Sequence, residues 1–199
     1  GAKNFVVVMP DADMDRAAAI STESCFGCAG ERCLANSVVL AVGDAYDRIR
    51  DKLVAETKKL KVGGGEEAGV TMGPLITQQH REKVLGYIEA GKKEGAKLLT
   101  GGKRHGERGY FIEPTVFGGV TDNMKIAREE VFGPVLAIIR SDSLENALKI
   151  QQRSPYGNAA SVFTQSGAIA KYVMENASAG MIGVNIGVPV PREPFSFGG

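Results

Sequence analysis

Apolar and polar positions change period repeatedly along this chain, and each change marks an element. Phe5–Met9 is an unbroken, β-branched run ended by Pro10, the pattern of a buried strand. Asp11 or Asp13 then caps a helix carrying "MDRAAAISTESCF". "SVVLAV" is a second strand, and "DAYDRIRDKLVAETKKL" is an amphipathic helix with acids early and lysines late, as the helix dipole prefers. "TQQHREKVLGYIEAGKKEG" repeats the design with Thr77 as cap and Gly95 as stop, and "AKLLTGG" follows as a short strand. "PVLAIIR", "SLENALKIQQ", "ASVFT", "SGAIAKYVMENA" and "GMIGVNI" alternate strand and helix from there. Such alternation implies right-handed crossovers and an α/β fold: a mainly parallel sheet with helices on both faces.

Composition narrows the function classes. Hydrophobic residues make up 43% of the 199 positions and the formal charge is +1, so the chain can bury a single core of ordinary domain size. Acids and bases are interspersed, which offers no electrostatic footprint for nucleic acid or for a membrane surface. The basic cluster "GGKRHGERG" is short and glycine-rich and reads as a solvated loop. No apolar run approaches the ~20 residues a membrane helix needs. Three cysteines and no secretory signal point to a reducing compartment. The opening "GAKNFVVV" and the final "PFSFGG" read as the ends of a domain cut from a longer protein.

A parallel sheet invites a search for a phosphate loop. The relaxed dinucleotide match "GGGEEA", Gly63–Ala68, is followed by "GVTMGP", which cannot open a helix, so it reads as a loop. The chemistry concentrates instead in "CFGCAGERCLA", which holds all three cysteines within nine positions. A zinc site needs four ligands in compact groups, and His80 and His105 lie far away in sequence, so no metal is expected. Cys25 and Cys28 lie at a helix end among small residues and read as buried, inert thiols. Cys33 lies beyond Gly30, in a turn between helix and strand beside Arg32, whose cation favours a thiolate. On those grounds Cys33 is either a nucleophile or a packed thiol; as a nucleophile it should alkylate much faster than the other two.

Two separate motifs decide between these readings. "GERCLA", Gly30–Ala35, resembles the Gly-(Gln/Glu)-x-Cys motif of the aldehyde dehydrogenase superfamily, and "REEVFGPVLAII", Arg128–Ile139, resembles its Glu-Glu-(Ile/Val)-Phe-Gly-Pro-Val segment. "GAKN", "MGPLIT", "SPYGNAASVFT" and "GMIGVNIGVPVPREPFSFGG" complete a likeness that covers the whole chain. Arg32 before the cysteine, the opening Gly-Ala-Lys-Asn and the "GVNIGVPVP" run resemble most closely the coenzyme A-acylating methylmalonate-semialdehyde dehydrogenase branch. Glu31 stands where the superfamily more often has Gln.

The resemblance implies a mechanism. Cys33 attacks an aldehyde to give a thiohemiacetal whose oxyanion is held by the backbone N–H of that cysteine and by an Asn from elsewhere; hydride passes to NAD; and the acyl group goes to coenzyme A as co-substrate. With (methyl)malonate semialdehyde the products are acetyl-CoA or propionyl-CoA. Arg32 matches the residue that helps hold the substrate carboxylate. Glu130 matches the acceptor of the nicotinamide ribose hydroxyls, and Phe132 the aromatic packed near the nicotinamide; unmatched, they would read as an exposed acidic turn and a core residue. The nucleotide-binding domain, the oxyanion Asn and any glutamate base precede residue 1 in the family, and its dimerising tail follows the last residue. Residues 1–199 are therefore expected to be the catalytic domain, inactive alone, of a homo-oligomeric enzyme (dimer or tetramer). Its partners are then the small-molecule semialdehyde, NAD and coenzyme A. The expected location is the bacterial cytoplasm, or the mitochondrial matrix in a eukaryote. Two alternatives stand beside this reading: a hydrolytic aldehyde dehydrogenase of another branch, and a non-catalytic domain remnant.

Overall fold

The computed structural model describes residues 1–190. The end of the family-like segment, Pro191–Gly199, lies outside them.

Seven strands form one sheet in the order β3-β4-β5-β2-β1-β6-β7. They are β1 (Asn4–Val8), β2 (Asn36–Val42), β3 (Lys97–Thr100), β4 (Thr115–Gly118), β5 (Val135–Ser141), β6 (Ala159–Phe163) and β7 (Met181–Val184). Every pairing is parallel except β3 with β4. The helices are α1 (Met14–Phe26), α2 (Ala45–Lys58), α3 (Gln78–Lys93), the single turn α4 (Lys125–Arg128), α5 (Leu144–Gln152) and α6 (Gly167–Asn176). The α/β expectation holds, with one strand more than the periodicity showed: β4 is four residues long and follows Pro114, too short to display a period.

Connections from β1 through α1 and from β2 through α2 run one way across the sheet; those through α5 and α6 run the other. With right-handed crossovers, α1 and α2 cover one face and α5 and α6 the opposite one. This is why β1 and β6 are buried at every position and why β2 and β5 read as continuous apolar runs. Phe26, Leu40, Leu53, Phe117, Ile138 and Phe163 are among the large side chains removed from solvent at its centre. Burial at about 25 cal/mol per Å² of apolar surface makes this core the main source of stability.

Capping follows the sequence closely. Asp13, not Asp11, caps α1 by accepting from Arg16 N, Thr77 caps α3 through His80 N at 3.1 Å, and Gly95 ends that helix at φ 96°. Ser143 and Ser166 cap α5 and α6 in the same way. Residues 63–68 form a loop, as expected, in which Gly64 N donates to Glu67.

Candidate active site

Four chain segments converge at the amino ends of β1, β2, β5 and β6. They are the opening residues before β1, the turn carrying Cys33 before β2, the Glu129–Pro134 turn before β5, and Tyr156–Asn158 before β6. All four sequence-expected residues, Arg32, Cys33, Glu130 and Phe132, lie on two of these segments, and the backbones of those two are in contact.

The contact needs a glycine. After α1 ends at Phe26 the chain makes a 3₁₀ turn, Gly27–Gly30, with Cys28 and Ala29 at φ 53° and Gly30 at φ 73°. Cys28 and Ala29 hold a conformation that costs a side-chain-bearing residue about 1–3 kcal/mol. At Gly30 there is no room for a side chain at all: a Cβ would lie 2.3 Å from Gly133 O. The nucleophile turn and the Phe132 turn touch backbone to backbone there.

Cys33 combines an exposed thiol with a pinned backbone. Its carbonyl oxygen accepts from Asn4 Nδ2 at 2.9 Å and from Asn158 Nδ2 at 3.1 Å. Asn4 also donates to Ala35 O at 2.8 Å and accepts from Ala159 N at 3.3 Å, so one buried amide ties together the starts of β1, β2 and β6. Both asparagines sit inside motifs that carried the resemblance, but nothing in their spacing revealed this job.

Cys25 is the opposite case. It is fully enclosed, and burial pushes its thiol above the ordinary range, against a smaller opposing pull from Lys3 and Arg32. The expectation of an inert Cys25 agrees with this. For Cys28 the expectation fails: it is exposed, because α1 stops before it and the left-handed turn carries its side chain off the apolar face.

Arg32 is exposed and folds back over Gly27, its Nη2 donating to Ser24 O at 2.9 Å. It lines a cleft of about 210 Å³ with Ile20, Leu34 and Val188. Glu23 and Ser24 line it too, so apolar side chains, a carboxylate and the Arg32 cation share its walls.

Glu130 lies beside the chain's opening residues, its Oε1 accepting from Ala2 N at 2.8 Å. Beneath it Lys3 is buried and donates to Ile126 O at 2.7 Å. Burial lowers the Lys3 ammonium to about 8, opposed by the neighbouring Cys25, Glu130 and Glu129. Glu129 is held on its other side by the Tyr87 hydroxyl at 2.8 Å. Phe132 is 37% exposed at φ 54°, so it is no core residue. A large apolar ring held outside the core in a costly conformation suits a planar ligand. Glu130 and Phe132 thus present a carboxylate and an exposed ring within one turn.

Sequence reading missed His80. It stands in the first turn of α3 with Nε2 2.6 Å from Phe132 O and 3.5 Å from Glu31 Oε1. Thr77 as cap did place residue 80 on that first turn, but no sequence signal names a partner 52 positions away.

The sequence profile of the aldehyde dehydrogenase family matches residues 1–199. Malonate-semialdehyde dehydrogenase 2 of Geobacillus kaustophilus is 45% identical over 202 aligned positions, which cover all of this chain and 42% of that protein. The crystal structure of methylmalonate-semialdehyde dehydrogenase from Oceanimonas doudoroffii superposes with a TM-score of 0.95 at 42% identity, over the whole chain and 42% of its own. A structure from Sinorhizobium meliloti in complex with NAD, described as a methylmalonate-semialdehyde dehydrogenase, gives 0.96 at 37% identity over 100% of this chain and 41% of that one. The chain thus spans less than half the length of these relatives. A profile matched from the first residue to the last, on a fold shared at this level of identity, leaves one assignment: the chain belongs to the aldehyde dehydrogenase family.

Proposed function

We propose that residues 1–199 are the catalytic domain of an NAD-dependent semialdehyde dehydrogenase that hands its acyl group to coenzyme A. The observation that carries this reading is an exposed Cys33 thiol on a backbone anchored by two buried asparagines, beside a cleft lined by its neighbours Arg32 and Leu34. Malonate and methylmalonate semialdehyde fit that cleft in chemistry: an aldehyde at one end and a carboxylate for the guanidinium at the other.

Cys33 Sγ, as thiolate, forms a bond to the aldehyde carbon, and the carbonyl π pair moves onto oxygen. The Cys33 backbone N–H is a donor for that oxyanion; the Arg32 carbonyl of the same peptide accepts from Ala35 N at 3.0 Å, and Asn4 and Asn158 hold the Cys33 carbonyl on the next peptide, so the turn is restrained on both sides of the cysteine. NAD, when bound, supplies the acceptor for the hydride that leaves this carbon. Glu130 orients the cofactor's ribose and Phe132 its ring, a positioning that turns a bimolecular encounter into a geometric one. Loss of hydride restores the C=O bond as a Cys33 thioester. The carboxylate leaves as carbon dioxide: its C–C bond breaks, the electron pair is delocalised onto the thioester carbonyl, and a proton from solvent adds at the carbon that bore it; the coenzyme A thiolate attacks the acyl carbon and the Cys33 thiolate departs. Acetyl-CoA or propionyl-CoA results. The whole protein is proposed to work as a homo-oligomer in the cytoplasm.

The test is initial-rate NADH formation by the full-length protein with malonate semialdehyde and NAD, with and without coenzyme A. Strict dependence on coenzyme A is expected. Equal rates without it, with free acid as product, would replace the acylating reading with the hydrolytic one.

A further inference from the structure

Two strained turns meet at this site, and their backbone contact at Gly30 and Gly133 fixes distance but not orientation. The side-chain link between them runs through α3. His80 Nε2 lies 2.6 Å from Phe132 O in one turn and 3.5 Å from Glu31 Oε1 in the other. Both neighbours of this nitrogen are acceptors, so Nε2 carries the ring proton; it donates to Phe132 O, and the Glu31 carboxylate stands beside the same N–H as an electrostatic neighbour. Glu31 Oε1 is itself tied down, accepting from Ile76 N at 3.2 Å just before α3. The imidazole also meets the Phe132 ring edge-on, with centroids 6.1 Å apart and planes at 67°. The His80 and Glu31 side chains are only 15% and 14% exposed, so water competes poorly for these contacts.

We propose that His80 is a positioning residue that locks the Phe132 turn, carbonyl and ring together, against the turn that carries Cys33. Its N–H holds a carbonyl whose own residue sits at φ 54°, a conformation that its surroundings must enforce. Glu31 Oε1, 3.5 Å from Nε2, favours the tautomer that keeps the proton on this nitrogen, and a charged carboxylate does so more strongly than a neutral amide oxygen. That gives Glu31 a reason to stand where Gln is commoner in the family. The consequence for catalysis rests on the reading of Cys33 as nucleophile and Phe132 as the face for the nicotinamide.

The experiment compares His80→Leu with His80→Gln in the full-length protein, since glutamine carries an N–H at the reach of Nε2 and leucine carries none. Deuterium exchange is followed in the peptide covering residues 129–136, and initial rates are measured with NAD varied. His80→Leu should speed exchange in that peptide and raise the KM for NAD by roughly tenfold, the equivalent of one hydrogen bond, with a smaller change in kcat. His80→Gln should recover most of both. If His80→Leu fails to fold, His80→Asn, whose amide is too short to reach Phe132 O, replaces it under the same two measurements. Exchange at the wild-type rate in the donor-less variant would overturn the lock. Faster exchange with unchanged NAD kinetics would overturn its role in catalysis. A wild-type protein with no NAD-dependent turnover of any aldehyde would instead refute the catalytic reading, while the exchange data still decide whether the lock exists.

Discussion

At the carboxyl ends of β1, β5 and β6, Asp13, Ser143 and Ser166 each accept a backbone N–H of the helix that follows. At the amino ends of the same sheet, Arg32, Cys33 and Phe132 face outward, and Asn4 and Asn158 serve a neighbouring turn rather than their own element. Open α/β sheets ordinarily bind ligands at the carboxyl ends, where connections leave adjacent strands in opposite directions. Here that crevice lies between β1 and β6, and Asp11 bridges it, accepting from Thr164 Oγ1 at 2.9 Å and Gln165 N at 3.0 Å. Each of its helix N-termini already has one backbone N–H taken by a side-chain cap, Asp13 on α1 and Ser166 on α6. The comparison teaches that the candidate residues of this chain gather at the amino ends of the strands, the side that strand sense alone would not single out.

The strongest way to break this contrast is at the thiol. Cys33→Ser in the full-length protein should lower kcat/KM about 10³-fold or more, the scale of losing an activated nucleophile, and should not change the melting temperature. Turnover surviving that change would move the chemistry away from the amino end. Next in size is Gly30→Ala, where a Cβ meets Gly133 O at a positive φ; it should destabilise the fold by about 3 kcal/mol in denaturant titration. A variant as stable as wild type would show that the two turns are free to part.

Lys3 gives a pH-dependent test. Its folded value, about 8, lies below the ordinary 10.5, so between these the unfolded chain binds more protons and stability rises with pH. The burial cost is fully present below pH 8 and disappears as pH approaches 10.5. Relative to Lys3→Met, wild type should therefore gain up to about 3 kcal/mol across that window. A flat difference would mean that the ammonium is not desolvated.

Arg32→Leu should raise KM for a semialdehyde acid by the equivalent of roughly 1.5–3 kcal/mol while a simple aldehyde such as propanal loses much less. Equal losses would assign Arg32 to the thiol or the fold. Smallest is the carboxyl-end control: Ser143→Ala should cost about 1 kcal/mol of stability and leave kcat and KM alone. A kinetic effect there would blur the division between the two ends.

What was legible in the sequence follows the range of the interactions involved. Elements with a sustained period, such as α2 and α5, declare themselves because each residue's environment repeats locally. The four residues of β4 contain too little period to read, and the antiparallel sense of β3 comes from its neighbour. Cys33 and Glu130 were found through motifs, and the structure brings their segments together. The exposure of Cys28 depends on a backbone angle that its small neighbours do not encode. His80, Asn4 and Asn158 act across 52, 29 and 125 positions, and pairings of that length leave no local trace.

The same long reach sets a timetable for synthesis. Asn158 reaches Cys33 across 125 residues, and Asn4 meets Ala159 across 155. At about 5–20 residues per second, a ribosome needs roughly 6–25 s after making Cys33 before its second anchor exists. Through that interval the growing chain carries β1 and β2 without the strand that flanks them on the far side, and the thiol sits in a turn with one support. The group on which turnover is proposed to depend is made well before its second anchor and secured only when β6 has joined the sheet.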